Sequence, residues 1–136
     1  MDKQLHLNPP TPGDTGKVVV NYLTENRSSS FLFQPKELVQ FETAWNWQSA
    51  WREDLLRDPS RSQAIWLLEH HSCYTLGRGG DRENILFDTS NSALDFHRID
   101  RGGDITHHIP GQLVIYLVID LRRYKTDLHW YLRQLE

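Results

Sequence analysis

The residues with chemical potential gather in two places. One is "EHHSCYTLGRGG", residues 69–80, which holds the single cysteine, Cys73, beside His70 and His71. The other is "DRGGDITHHIPGQ", residues 100–112, with a double glycine, a histidine pair and a Pro-Gly. A thiol near imidazole is the raw material of a nucleophile, because the thiolate attacks and a neighbouring base generates it. Cys73, however, follows an apolar run and precedes Tyr74 and Leu76, and Arg78 is the only Lys or Arg within five positions. That setting predicts a packed thiol rather than a reactive one. Metal binding is disfavoured as well. Adjacent strand residues face opposite ways, so neither His70–His71 nor His107–His108 can readily share an ion. No cysteine cluster or HExxH accompanies them.

The glycine pairs in "LGRGG" and "DRGGD" lack the Lys-Ser/Thr of a phosphate loop and the GxGxxG order. They supply unobstructed backbone N–H groups, which can cradle an anion or let a ligand carbonyl come close. They suit two plain tight turns equally well, and composition does not choose between these readings. "HHIPGQLVIY" favours a site. A polar, turn-forming segment leads straight into an apolar strand, and binding sites often form where a rigid sheet gives way to loops. A pocket with an apolar floor and a polar mouth is the expectation.

Several elements must position these residues. "KVVVNYL" (17–23) is β-branched and reads as a strand, and "TENRSSS" as a loop. A helix is predicted across residues 35–59, where Leu38, Phe41, Trp45, Gln48, Trp51 and Leu55 recur at steps of three and four. Pro35 suits its first turn and Pro59 follows its end. The aromatic stripe has the spacing of a buried helix face, so core packing is expected rather than a ligand. Residues 64–71 and 113–121 read as buried interior strands. Short extended pieces fall near Asp100 and between the two turns of 100–112. A second helix opens near Asp127, with Leu128, Tyr131, Leu132 and Leu135 on its apolar face. That stripe is cut at Glu136 without a stop signal, which suggests less than a whole domain. Residues 1–16, with three prolines and two glycines, read as a flexible leader.

The totals bound the function. The 136 residues suffice for one domain, and 38% are hydrophobic and 24% charged. A net charge of -3 without a basic block argues against a nucleic-acid partner. No apolar run approaches the ~20 residues that span a bilayer. The N-terminus lacks a signal-peptide pattern, and one cysteine allows no internal disulfide, so a reducing cytoplasm is the expected home.

Taken together, "EHHSCYTLGRGG", "DRGGDITHHIPGQLVIYLVIDLRR" and "DLHWYLRQLE" resemble the octanoyltransferases of lipoate biosynthesis. The family shows a strand into "YTLGR", then an "RGG-x-x-T-x-H-GPGQ" signature, then an apolar strand ending in "DLRR". The resemblance covers residues 18–136 and about the first half of the family domain. It implies an α+β fold, a mixed sheet with flanking helices, related to the biotin and lipoate protein ligases. It implies transfer of an octanoyl group from octanoyl-acyl carrier protein to a lysine of lipoyl domains, in 2-oxoacid dehydrogenases or the glycine cleavage H protein. No cofactor, metal or membrane enters that chemistry. By position it assigns Arg101, Gly102, Gly103, Asp104, Ile105, Thr106, His107 and His108 to the acyl site.

Two departures stand out. The family's nucleophilic Cys and partner Lys belong to the second half, so no catalytic residue is carried over, and Cys73 does not inherit the role. The truncated chain is therefore expected to be inactive alone. The family's "HGPGQ" reads "HIPGQ", with Ile109 at a glycine position. If positive φ is required there, strain of ~1–3 kcal/mol follows. A lipoate or biotin ligase relative, or a non-catalytic acyl- or carrier-binding remnant, are the alternatives. ATP consumption would mark a ligase.

Overall fold

The computed structural model describes residues 18–20 and 30–136. The leader expected over 1–16 lies outside the described residues, as does most of the strand expected over 17–23. Two mixed sheets and two helices form the architecture, as the α+β expectation requires. The first sheet has the order β1 (Val18–Val20), β2 (Ser30–Phe33), β3 (Gln63–Leu68) and β7 (Val114–Val118). The second has β4 (Cys73–Leu76) between β5 (Phe96–Arg98) and β6 (Ile105–His108).

Helix α1 (Phe41–Arg57) joins β2 to its parallel neighbour β3. A parallel pair needs such a crossover, because a tight turn can only reverse the chain. Phe41, Ala44, Trp51 and Leu55 are its buried residues. Trp51 stands edge-on to Phe33 and to Trp66, and Phe33 stacks on Trp66 at 5.5 Å. These rings, with Val39, Ala64 and Leu68, make the core. Phe41, Trp51 and Leu55 of the expected stripe pack as its period predicts, while Trp45 and Gln48 are half-buried.

The helix begins six residues later than the sequence suggests. Val39 forms a parallel bridge with His70, and its N–H donates to the Glu69 carbonyl at 2.9 Å. A backbone committed to that bridge cannot also start a helical turn, so tertiary pairing overrides local propensity. β2 was also hidden: only four residues long, it borrows its stability from β1 and β3. The far end of the first sheet is closed by "DLRR". Asp120 N–H donates to Gln63 Oε1, Gln63 Nε2 donates to Tyr124 Oη, and Arg123 donates to the carbonyls of Pro59 and Arg61. Helix α2 (Leu128–Leu135) starts where Asp127 accepts the Trp130 N–H, a normal N-cap.

β7 departs from the interior strand expected over 113–121. Among the described residues it pairs only with β3, and none of its side chains is buried. Leu113 and Ile115 remain 63% and 55% exposed, and Leu128, Leu132 and Leu135 on α2 are also exposed. An apolar strand with a free edge and no Pro or Lys invites pairing with another chain. Residues 1–136 should therefore associate in sedimentation velocity as concentration rises, and Ile115→Lys should reverse it. A strictly monomeric wild type would refute this.

Candidate functional site

The second sheet brings the two motifs together. β4 and β6 are antiparallel, with Cys73 opposite His108, Tyr74 opposite His107 and Thr75 opposite Thr106. Alternation puts Thr75, Thr106 and His108 on one face, and Tyr74 and His107 on the other. Arg101 lies on the loop between β5 and β6. Its Nη2 donates to Thr75 Oγ1 at 2.9 Å and to Thr106 Oγ1 at 3.0 Å, and its Nη1 donates to the Gly102 carbonyl at 2.8 Å. His108 Nε2 lies 3.5 Å from the same Thr75 Oγ1. Arg101 and His108 thus converge on one hydroxyl. Among the described residues no carboxylate lies within 4.0 Å of the Arg101 guanidinium. A cation held by hydroxyls and a carbonyl keeps its charge available to an anion or a polarised carbonyl oxygen.

The glycines have separate tasks. Gly103 has φ +98°, and a Cβ there would stand 2.7 Å from Arg101 Nη1. Its missing side chain therefore makes room for the guanidinium. A Cβ on Gly77 would meet the carbonyl oxygens of Gly103, Arg101 and Gly102 at 2.5, 2.9 and 2.9 Å. Arg78 N–H also donates to the Arg101 carbonyl at 2.8 Å. The two glycine-rich loops therefore pack backbone to backbone, an arrangement that makes both the tight turns and the close approach necessary. Gly77→Ala should destabilise by about 1–3 kcal/mol, because the obstructing atoms are backbone. Urea melts within about 0.5 kcal/mol of wild type, the usual span of a neutral surface change, would contradict that packing.

"HIPGQ" forms a turn in which Gln112 N–H donates to the Ile109 carbonyl at 3.1 Å and Gly111 takes φ +89°. Pro110 and Gly111 occupy the positions a type II turn favours. Glu69 Oε2 accepts the Gly111 N–H at 2.7 Å. The positive φ falls on Gly111, and among the described residues no non-glycine has one. The strain considered for Ile109 is therefore absent. The turn folds Gln112 back so that its Oε1 meets His108 Nδ1 at 2.9 Å.

Of the other residues expected in the site, Asp104 accepts from Asn84 Nδ2 at 2.6 Å and from the Ile105 N–H at 2.8 Å, so it ties down the preceding loop. Ile105 is half-buried, and Gly102 is exposed with open space around it. His107 is exposed on the opposite face, stacked on Tyr74 at 4.1 Å and within 3.1 Å of Ser72 Oγ. Cys73 is 1% exposed, and burial, followed by the charge of Asp95, pushes its thiol up to about 11. It stays a neutral thiol at neutral pH, as its sequence setting predicts. Thr75, Tyr116 and Gln112 complete the network and were not singled out from the sequence, and His70, considered there only beside Cys73 and as half of a metal pair, joins it as a hydrogen-bonded ring. Thr75 enters through the β4–β6 register, and the others through the turn and long-range hydrogen bonds, all of which only the assembled fold displays. Three grooves of about 430, 380 and 360 Å³ run beside α1, and neither Arg101 nor His108 lines any of them.

Residues 41–136 match the family model of the lipoyl protein ligase A/B catalytic domain. The chain is 57% identical, over all its 136 residues, to an octanoyltransferase of Prochlorococcus marinus strain MIT 9211, and covers 58% of that relative. It is 61% identical over 119 residues to an octanoyltransferase of a second Prochlorococcus marinus strain, SARG, covering 88% of this chain and 53% of the relative. An octanoyltransferase of Synechococcus sp. strain WH7803 is 57% identical over 115 residues, covering 80% of this chain and 46% of that relative. The chain spans about half the length of the curated relatives it matches. The curated relatives are octanoyltransferases by name, and the matched domain, on a mixed α+β sheet fold, places the chain in the lipoyl protein ligase A/B catalytic-domain family.

Proposed function

We propose that the protein acts in lipoate biosynthesis, moving an octanoyl group from octanoyl-acyl carrier protein to a lysine of lipoyl domains in the cytoplasm. The segment Arg101–His108 carries the acyl site in this reading, with Arg101, Thr106 and His108 on the face that meets the acyl group and His107 on the other. The observation that carries it is the Arg101 guanidinium, held on Thr75 and Thr106 beside His108 with no carboxylate within 4.0 Å among the described residues. Such a group can hold the carbonyl oxygen of an acyl thioester by charge-assisted hydrogen bonds. Gly102, with open space around it, leaves backbone accessible to an approaching acyl group. The transfer itself requires a nucleophilic Cys and a Lys, which the octanoyltransferase resemblance assigns to the second half of the family domain. Buried Cys73 does not replace them. Residues 1–136 alone should bind an acyl thioester but not turn it over.

The test is a titration of octanoyl-pantetheine into the 136-residue chain, followed by amide shifts in NMR. Perturbation should centre on 101–108. Arg101→Lys keeps the charge but loses the planar fork, and hydrogen bonds to charged groups contribute about 1.5–3 kcal/mol. Affinity should fall roughly tenfold or more. Shifts confined to other residues would remove the assignment.

A further inference from the structure

His70 is an imidazole that is 0% exposed, and nothing in the proposed function uses it. Both of its nitrogens are occupied. Nδ1 lies 2.8 Å from the Val39 carbonyl, which can only accept, so Nδ1 carries the hydrogen. Nε2 is then bare and accepts the Tyr116 hydroxyl at 2.9 Å. Burial, the largest influence, pushes the Tyr116 phenol up to about 12, which keeps its proton in place for that bond. The ring cannot turn without breaking two hydrogen bonds, one buried and one part-buried.

This fixed ring stands edge-on to His108, with centroids 5.3 Å apart and planes at 65°. Phe41 lies near-parallel to His108 at 6.3 Å and also touches His70 at 5.6 Å. Three rings thus limit one another. The only polar fastening on the Nδ1 side of His108, among the described residues, is Gln112 Oε1 at 2.9 Å, an acceptor, so that nitrogen carries the hydrogen. In the singly protonated ring this leaves Nε2 bare toward Thr75 Oγ1, 3.5 Å away. The Thr75 oxygen already accepts from Arg101, so its own hydrogen is free for that lone pair.

We propose that His70 is a positioning residue for His108. Tied at both nitrogens, it forms the wall that keeps the His108 ring in one orientation and one tautomer, with Nε2 bare beside the Arg101 guanidinium. The geometry stands without the acyl-site reading, but the purpose rests on it. Within that reading, Arg101 supplies the donors and His108 the acceptor at a single spot. A His108 ring free to rotate would lose that division.

The experiment uses the 136-residue chain with nitrogen-15 histidine. Wild type should show His108 as a single species with its hydrogen held on Nδ1 and slow to exchange. His70→Gln retains one donor for Val39 and one acceptor for Tyr116, so the fold should survive, as its amide spectrum will report. It removes the ring wall, and the His108 signals should broaden toward a mixture of tautomers. His71→Gln alters the exposed member of the pair and should leave His108 unchanged. Octanoyl-pantetheine should then bind His70→Gln about three- to tenfold more weakly, the worth of one ordinary hydrogen bond. Unchanged His108 signals in folded His70→Gln would overturn the proposal, as would an equal effect from His71→Gln. Wild type failing to bind the thioester, with the tautomer effect intact, would instead defeat the acyl-site reading and leave the positioning role standing.

Discussion

Trp66→Ala is expected to remove about 3–5 kcal/mol of stability, the usual range for emptying a buried aromatic site. Trp66 is 0% exposed and sits in the middle of β3, paired with Phe33 on one side and Tyr116 on the other. Its ring stacks on Phe33 and meets Trp51 edge-on at 5.9 Å. Removing it opens a void bounded by two large rings whose strand and helix cannot close inward. Domains hold only ~5–15 kcal/mol in total, so the loss is about a fifth or more of what is available. Trp66→Phe should lose less than half as much. Among the described residues Trp66 Nε1 is buried without an acceptor, a defect of about 1–3 kcal/mol that Phe abolishes while keeping most of the contact. Urea melts of both variants would check this. An Ala variant within about 1 kcal/mol of wild type, the size of an average substitution, would show that β3 does not anchor the core.

His70→Ala should cost a similar ~3–5 kcal/mol at about pH 8, since it empties a buried site and leaves the Val39 carbonyl and Tyr116 hydroxyl without their partner. It should also change the response to acid. Burial, the largest influence, holds the folded-state His70 below its ordinary value, against a contrary pull from the Val39 hydrogen bond. The unfolded chain then takes up a proton near about pH 6.5 that the folded chain still refuses. Below that pH the unfolded state binds more protons, so stability is full above about 6.5 and declines as pH falls toward the lower folded value. The wild type should weaken between about pH 7 and 5 more steeply than His70→Ala. Parallel curves over that interval would mean that another group carries the acid sensitivity.

Local patterns in the sequence reveal the long elements. The step of three and four marks α1, and the apolar run at 64–68 marks β3, because both periods are written in consecutive residues. The start of α1 was hidden because Val39 is claimed by His70, thirty-one positions away. Gly103 and Gly77 announce close approach, but only the folded loops show that they approach each other. Arg101, Thr106 and His108 could be read from one motif. Thr75, Tyr116 and His70 join them through strand register and long-range contacts, which single residues do not encode. His107 illustrates the converse: inside the motif, alternation turns it to the other face.

β3 has a further consequence in hydrogen exchange. It is an interior strand of the first sheet, bonded to β2 and to β7, and its Ala64, Trp66 and Leu68 are buried. Its amides should open only with the whole molecule, whereas β7, paired on one edge alone among the described residues, can fray. His70 lies two residues beyond the end of β3, and its Tyr116 partner lies on β7. The hydrogen bond between them therefore ties the segment just past the slowest strand to one of the faster exchanging strands. Fluctuation of β7 would reach His70, and through it the site, before β3 itself begins to open.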